Sequence, residues 1–523
     1  MATDTAGSQA ATGTPTHAGG GRRQDANVRL GEARGRWILL ATVLGSSVAM
    51  LDATVVNVAL PRLAADLSAS MSGLQWTVNG YALTLAGFIL LGGSLGDRFG
   101  RRRVFVLGVI WFAVASVLCG LALNVPMLVA ARALQGVGGA LLTPGSLAII
   151  QASFVPDDRP RAVGAWSGLG GVAAAVGPFL GGWLVEAAGW RWVFLLNVPL
   201  AAIVVLVAVR HVPESSDGEA GGRFDVKGAV LAALALTGIT YALTEAPAGR
   251  TPLALSLAIG IGGVGCAAAF LWVERRRGAS AMMPLAVFGS RQFTAINVVT
   301  FVVYGGLSVL VFLLLVQLQV VAGFSPIAAG FAMLPVTILM LLLSARAGAL
   351  AQRIGPRALM TGGLLVGAAG LLLTTRVGPH ASYVGDVLPA VIVFGLGLSA
   401  VVAPLTATVL ATADVRHAGV ASGVNNAVAR AAGLLAVAAV PPLVGLTGDA
   451  YRDPVTFGGG FRTAMVISAL LLVIGAILTF FTVRRDALAT SPDHQPAPTT
   501  VDRPARTRSA HSTGIMRRIR DAA

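Results

Sequence analysis

The stretch SSVAMLDATVVNVALP, residues 46–61, places a single carboxylate, Asp52, inside an apolar segment that begins at Trp37. A charged side chain at the centre of a membrane-spanning helix costs roughly 2.5–3.5 kcal/mol on insertion scales, so ionisable residues there usually face an internal cavity and mark an ion or proton pathway. The alternative is a carboxylate neutralised by one fixed partner, with no role in transport. Asp52 is therefore the first candidate functional residue.

The composition predicts an integral membrane protein. Of the 523 residues, 55% are hydrophobic and 12% are charged, and the mean hydropathy is +0.78. Uninterrupted apolar runs of about 20 residues favour helices over a barrel, and the 65 glycines allow helices to approach closely in lipid. Cys119 and Cys266 lie in apolar helices, where we interpret them as packing residues, with no disulfide framework and no metal site.

Apolar runs bounded by charge, proline or glycine predict an all-α polytopic protein with fourteen transmembrane helices. Their predicted limits are residues 37–60, 74–95, 103–123, 127–151, 162–185, 191–210, 228–246, 253–273, 293–320, 327–350, 358–376, 384–411, 418–446 and 461–483.

The charge distribution predicts the orientation. Of the 38 basic residues, 29 lie on the side that holds both termini, 6 on the other side and 3 within helices. By the positive-inside rule both termini are cytoplasmic and the chain lies in the cytoplasmic membrane. This distribution explains the net charge of +15 without nucleic acid, so the bilayer is the partner that the charges predict. The other expected partners, a small-molecule substrate and protons, rest on the repeat and the motifs within the helices, and we expect a monomer.

An internal repeat divides the chain. GSLGDRFGRRR from Gly93 aligns with GALAQRIGPRA from Gly348, and RAVGAWSG from Arg161 aligns with RHAGVASG from Arg416, both at an offset of 255 residues. Two copies of one six-helix unit are a known plan for secondary transporters, with the substrate site at mid-membrane between them. The predicted regions are a disordered N-terminal tail (1–36), an N-terminal half (37–210), a linker with two insert helices (211–292), a C-terminal half (293–483) and a disordered basic tail (484–523).

These motifs resemble the major facilitator superfamily, and within it the fourteen-helix branch of drug:proton antiporters. LDATVVNVALP from Leu51 resembles the first-helix signature of that branch, and Arg132, Gln135 and Gly136 resemble its fourth-helix signature. Its loop signature between helices two and three matches Gly93, Asp97, Arg98, Gly100, Arg101 and Arg102. Its fifth-helix antiporter signature matches Gly177, Pro178, Gly181 and Gly182, although Ala173 stands where that signature usually has another glycine.

Depth arithmetic tests Asp52 separately from the resemblance. At 1.5 Å per residue, Asp52 lies ~22 Å from the side on which its helix begins at Trp37, and Arg132, entering from the other side near Met127, lies at about the same depth. We expect the two side chains to face each other, with Gln135 one turn from Arg132. Movement of Asp52 relative to Arg132 would switch its proton affinity and couple proton flow to transport. A static buried pair makes the same depth prediction.

Two further regions have expected roles: the loop of Gly93, Asp97, Arg98, Gly100, Arg101 and Arg102, which we call the gating loop, and the glycine face of helix five. The role of the loop is implied by the resemblance, and the alternative for the glycine face is close packing alone. Asp97 in the gating loop would sit against the positive end of the helix that begins near Ala418 and hold an outward-facing state. The glycine face at Gly177, Pro178, Gly181 and Gly182 would close a gate by sliding against the C-terminal half, with a bend at Pro178.

The substrate-cavity candidates are the remaining polar residues near mid-membrane: Gln135, Tyr304, Gln317, Asn425 and Arg430. Because Asp52 is the only acid deep in either half, the sequence favours neutral, weakly charged or monocationic amphiphiles as substrates.

The predicted function is proton-coupled efflux of drugs, antibiotics or other amphiphilic small molecules. The alternative is export or symport of one endogenous metabolite. No cluster of histidines, cysteines or paired acids and no phosphate-binding glycine loop occurs, so we expect neither an enzyme nor a cofactor, and the proton gradient supplies the energy.

Overall fold

The computed structural model describes residues 28–216, 225–278, 281, 283, 285–411 and 418–488. The predicted tails lie largely outside this range. The first seven helices of the described chain are α1 (Ala33–Leu67), α2 (Met71–Phe99), α3 (Arg101–Gly120), α4 (Val125–Ser153), α5 (Arg159–Ala187), α6 (Arg191–Leu195) and α7 (Asn197–His211). The two insert helices are α8 (Val226–Ala248) and α9 (Leu253–Arg277).

The rest of the described chain is also helical. It comprises α10 (Arg291–Val316), α11 (Pro326–Ala332), α12 (Leu334–Ile354), α13 (Pro356–Thr374), α14 (Leu388–Ala411), α15 (Ala418–Leu443) and α16 (Pro454–Thr482). A π-helical turn, Gln317–Val321, extends α10, and another, Tyr383–Val387, precedes α14.

Thirteen helical segments of the described chain are long and apolar enough to cross a membrane. A fourteenth results if α2 counts as one span, because Met71–Ile89 and Leu91–Phe99 meet at a bend of 50°. The chain is therefore a multi-pass helical membrane protein.

Two predicted single spans are each broken into two helices. The break after α6 precedes Pro199, and the break after α11 precedes Pro335. A proline has no N–H to donate to the carbonyl four residues earlier, which here is that of Leu195 or Phe331. Each pair still forms one candidate span, Arg191–His211 and Pro326–Ile354, as the sequence predicts over 191–210 and 327–350, with a local break before the proline.

The connections lie at two ends of the bundle. At the end where α1 begins and α16 ends, which we call the terminal face, the Leu30 N–H donates to Asp158 at 2.9 Å and the Arg101 N–H donates to the Ser215 carbonyl at 2.9 Å. At the other end, which we call the opposite face, the Met71 N–H donates to the Gly448 carbonyl at 2.7 Å.

Two tight turns at the terminal face have the same backbone conformation. Gly100 joins α2 to α3 with φ of 108°, and Gly355 joins α12 to α13 with φ of 88°. Only glycine adopts such angles without strain, so each turn requires it. The two positions are separated by the 255 residues of the sequence repeat.

The insert helices lie beside the bundle and against each other. A Cβ on Gly238 of α8 would lie 2.8 Å from Cα of Gly263 on α9, a backbone approach that only small residues permit. Helix α8 packs against both α2 and α15. Its contact with α2 includes Gly87, where an added Cβ would lie 2.9 Å from that of Ala233.

Candidate functional site

A buried ion pair lies at the centre of the N-terminal half. Arg132 Nη1 donates to Asp52 Oδ2 at 2.5 Å, and each residue is 1% exposed. Helix α1 positions the carboxylate, and α4 positions the guanidinium. The structure thus brings together the two charges, Asp52 and Arg132, that residue counting along the helices predicts at the same depth.

Both charges have further partners. Gln135 Nε2 donates to Asp52 Oδ1 at 2.8 Å, while its Oε1 accepts from Arg132 Nη1 at 2.6 Å. Arg132 Nε donates to the Thr77 carbonyl at 3.1 Å, and its guanidinium lies 4.4 Å from the centre of the Tyr81 ring. A buried ion pair stabilises a fold only when such contacts satisfy its remaining donors and acceptors.

Two members of this network were missed in the sequence. Asn197 Nδ2 donates to Asp52 Oδ1 at 3.0 Å and to Ser116 Oγ at 3.2 Å, and Ser116 also accepts from Gln135 at 2.7 Å. The sequence does contain a signal for Ser116. It lies 15 residues after Arg101, where α3 begins, and Asp52 lies 15 residues after Trp37, so both residues are at a similar depth from the terminal face. Polar residues at one depth on neighbouring helices are candidates for one network.

A cavity of about 400 Å³ lies between the two halves, next to the ion pair. Its lining comes from α1, α2, α4, α10 and α15 and is mostly apolar. The described polar residues of the lining are Thr54, Asn57, Asn79, Tyr81, Arg132, Tyr304, Ser308, Asn426 and Arg430. No carboxylate occurs among the described lining residues, and Asp52 lies behind Arg132.

The cavity includes two of the five predicted substrate residues. Tyr304 and Arg430 line it, whereas Gln135 is fully buried in the ion-pair network. Gln317 lies in the π turn near the opposite face, where its amide donates to the Val377 carbonyl at 2.7 Å. Asn425 donates to Thr300 at 2.7 Å and to Asn297 at 3.1 Å, so its amide joins α15 to α10 instead of facing the cavity.

The glycine face of α5 contacts two different elements. Gly177 and Gly181 are buried against α1, where a Cβ on Gly181 would lie 2.8 Å from Val55. Gly182 instead faces the C-terminal half, and a Cβ there would lie 2.6 Å from Cα of Ile327 in α11. At Pro178, the carbonyl carbon lies 2.8 Å from a Cβ built on Gly330. This end of α5 therefore packs backbone to backbone against α11.

The other end of the same face is open. At ~100° per residue, Gly164, Gly168 and Gly171 lie within about 60° of Gly182 around the helix axis. All three are exposed, and a Cβ at any of them would meet nothing within 4 Å. One helix face thus contacts the C-terminal half near the opposite face and separates from it near the terminal face.

Polar contacts also join the two halves near the opposite face. Gln75 donates to the Val437 carbonyl at 2.7 Å, and Gln319 donates to the Val58 carbonyl at 3.1 Å. The described contacts between the halves therefore close the cavity on this side.

Three residues of the gating loop, Asp97, Arg101 and Arg102, make polar contacts with one another or with the start of the linker. Arg101 pairs with Asp97 at 2.8 Å, one turn away, and a Cβ on Gly93 would lie 3.6 Å from Pro144. Arg102 donates to the Val212 carbonyl at 3.1 Å and pairs with Glu214 at 3.6 Å. Arg98 lies 5.9 Å from the Phe99 ring. Residues 412–417, which lead into the proposed helix partner of Asp97, lie outside the described residues.

The fold and site define a class: a helical membrane protein whose two halves enclose a central cavity beside a buried ion pair. The chain belongs to the Major Facilitator Superfamily, whose family model matches residues 42–438. Among the described residues, no group of three or more histidines, cysteines or acids is placed to hold a metal ion.

Similar proteins are known in bacteria. The chain is 36% identical over 397 residues to the multidrug resistance protein Stp of Mycobacterium tuberculosis, covering 74% of this chain and 72% of that protein. It is 35% identical over 467 residues to the puromycin resistance protein pur8 of Streptomyces alboniger, covering 85% and 91%. The crystal structure of a bacterial homolog of the human lysosomal transporter Spinster shares the fold, with a TM-score of 0.61 at 18% identity over 88% of this chain and 99% of that one.

Proposed function

We propose that this protein is a proton-coupled exporter of drugs, antibiotics or related amphiphilic small molecules across the cytoplasmic membrane. The observation that carries the proposal is the position of Arg132, which pairs with a buried carboxylate and also lines the cavity. Relatives named for multidrug and puromycin resistance support the substrate class.

The coupling follows from the shared arginine. While Asp52 is charged, its carboxylate holds the Arg132 guanidinium and the network around it. Protonation of Asp52 removes one charge of the pair, so the hydrogen bonds that hold Arg132 beside the cavity weaken. A proton that arrives from outside would then change the cavity wall and favour substrate release, and loss of the proton to the cytoplasm would restore the wall.

The same proposal includes the topology. The bent α2 is one span, which gives fourteen spans and two repeated six-helix halves with an insert of two, and both termini are cytoplasmic. The terminal face is then the cytoplasmic face, so the packed end of α5 closes the cavity toward the outside and the separated end opens it toward the cytoplasm. The protein acts as a monomer and as a transporter without enzymatic activity.

Accumulation in everted membrane vesicles tests the proposal. The probes are fluorescent amphiphiles of each charge: ethidium, anthracene-9-carboxamide and anthracene-9-carboxylate. At least one should accumulate when an imposed proton gradient is present, and an uncoupler should release it. Accumulation of none above vesicles that lack the protein, or accumulation that an uncoupler does not affect, would overturn proton-coupled export.

The gate on α5 can be tested by two matched substitutions. Gly182→Val places a side chain against α11 and should open the external side, while Gly168→Val meets nothing in this state and should hinder closure of the cytoplasmic side. The measurement is labelling of a cysteine at Thr54 in the cavity, in a Cys119→Ala, Cys266→Ala background, by an impermeant maleimide added from either side. The two valines should shift labelling in opposite directions, and a shift in the same direction would contradict the gate.

A further inference from the structure

Arg430 of α15 is a cavity residue whose charge has no counterion among the residues that the structure describes. It lies 12 residues past the start of α15 at Ala418, close to mid-membrane, and it lines the cavity. Its Nε is buried and has no hydrogen-bond partner. No ion pair recorded among the described residues includes it.

The surroundings of Arg430 offer no negative charge. The described lining residues contribute one other charge, the guanidinium of Arg132, and its carboxylate partner lies behind it, outside the lining. The other polar groups of the lining are hydroxyls and amides. An ion in such a place is costly unless a charged group compensates it, and the described lining carries an excess of positive charge.

A second donor in the cavity is also unsatisfied. Asn79 of α2 is 1% exposed and lines the cavity, and its Nδ2 has no hydrogen-bond partner. Arg430 and Asn79 belong to opposite halves, so a ligand that accepts from both would span the interface. Buried donors of this kind normally have acceptors, which indicates that a bound molecule supplies them.

We infer that the cavity selects amphiphiles with one anionic oxygen group, a carboxylate or an ionised phenol or enol, which binds Arg430 while the apolar body packs against the rest of the lining. The volume of about 400 Å³ is within the range of small-molecule sites. The inference rests on the proposed function, since it names the substrate class of the same cavity. It replaces the sequence-based preference for neutral, weakly charged or monocationic substrates. That preference was based on the number of buried acids and did not consider the charge of Arg430.

Equilibrium binding to the purified protein in detergent tests the inference. The probes are anthracene-9-carboxylate, anthracene-9-carboxamide and 9-(aminomethyl)anthracene, which share one ring system and carry a negative, a neutral and a positive group. The carboxylate should bind at least about tenfold more tightly than the carboxamide, as expected for a hydrogen bond between charged groups in a buried site, and the amine should bind most weakly. Equal affinities of the unmodified protein for the three probes, or tighter binding of the amine, would by themselves overturn the inference.

Two variants assign the preference to Arg430. Arg430→Gln should lower carboxylate affinity to that of the carboxamide, whose own affinity should stay unchanged, and Arg430→Lys should restore part of the difference. Arg462→Gln removes an exposed positive charge in the third turn of α16 and should leave the preference intact. Persistence of the full preference in Arg430→Gln would overturn the assignment. Because binding is measured without a gradient, it stays separate from proton coupling, which the vesicle assay measures.

Discussion

Arg132 and Arg430 both line the central cavity, yet their environments are opposite. Arg132 is 1% exposed and shares hydrogen bonds with Asp52, Gln135 and a backbone carbonyl. Arg430 lines the other wall with an unsatisfied Nε and no recorded counterion. The charge of Arg132 is neutralised by a side chain of the protein itself. The charge of Arg430 requires a bound ligand to supply its counterion.

The repeat does not explain either arginine. At the offset of 255 residues, Asp52 corresponds to Leu307, Arg132 to Val387 and Arg430 to Ala175. At this offset, none of the three charges has a charged counterpart in the sequence. We interpret the N-terminal half as the part that handles the proton and the C-terminal half as the part that recognises the substrate.

Removing the counterion of Arg132 should have the largest effect. Asp52→Asn leaves a buried guanidinium unpaired, as Arg430 is, and removes the only acid of the network. We expect accumulation against a gradient in everted vesicles to fall to the level of vesicles without the protein. Breaking a buried ion pair typically costs about 3–5 kcal/mol, so thermal unfolding in detergent should also begin at a lower temperature.

The matched control for this variant is on the same helix. Asp66 is half-exposed near the opposite face, where it accepts from Trp190 at 2.8 Å. Asp66→Asn should therefore leave accumulation largely intact. Full accumulation in Asp52→Asn would show that the buried pair is static and plays no part in coupling.

The converse change gives Arg430 a counterion. Asn426 lies one turn before Arg430 on α15 and lines the cavity, and side chains on a helix point toward its N-terminus. Asn426→Asp should abolish most of the roughly tenfold preference for anthracene-9-carboxylate over the carboxamide. The readout is the equilibrium binding assay, with Asn124→Asp, at the exposed N-cap of α4 away from the cavity, as a control. An unchanged preference would mean that the substrate anion does not bind Arg430.

A smaller effect is expected when one neutral support of the ion pair is removed. Asn197→Ala deletes the 3.0 Å hydrogen bond to Asp52, and hydrogen bonds to charged groups contribute about 1.5–3 kcal/mol. We expect a lower unfolding temperature and slower accumulation, with proton dependence retained. Asn425→Ala, which removes an amide of the C-terminal half, should affect stability without slowing the proton-dependent step. The reverse pattern would place Asn197 outside the coupling network.

The smallest stability effect is expected at the surface. The Asp97 side chain is 40% exposed in its pair with Arg101, and exposed pairs contribute about 0–1 kcal/mol. Asp97→Asn should therefore leave the unfolding temperature nearly unchanged while slowing accumulation, if the loop governs switching as the family resemblance implies. Asp486→Asn removes a more exposed acid, 65% exposed, at the terminal face and should change neither quantity. Normal accumulation in Asp97→Asn would remove the gating role.

Hydropathy and depth account for much of this architecture. Counting residues from Trp37 and Met127 is enough to place Asp52 and Arg132 at one level, because helical rise is constant. The helix breaks before Pro199 and Pro335 can also be predicted from the sequence, because proline has no backbone N–H to donate.

Rotation of each helix about its axis was the quantity that residue counting did not provide. Gln317, Asn425 and Arg430 are all polar residues of the C-terminal half, but only Arg430 faces the cavity. Their directions depend on which neighbours α10 and α15 pack against, and that is a property of the assembled bundle. The same reason explains why Gly177 and Gly182, five residues apart, contact different halves.

The insert makes the two lateral seams of the transporter unequal. Helix α8 packs against both α2 and α15, and its contact with α2 is made by small side chains. It therefore covers the seam between these two helices. The seam beside α5 has no such cover at Gly164, Gly168 and Gly171. The two flanks of the described bundle are therefore packed differently near the terminal face, and we expect a molecule in the adjoining leaflet to meet less protein on the α5 flank.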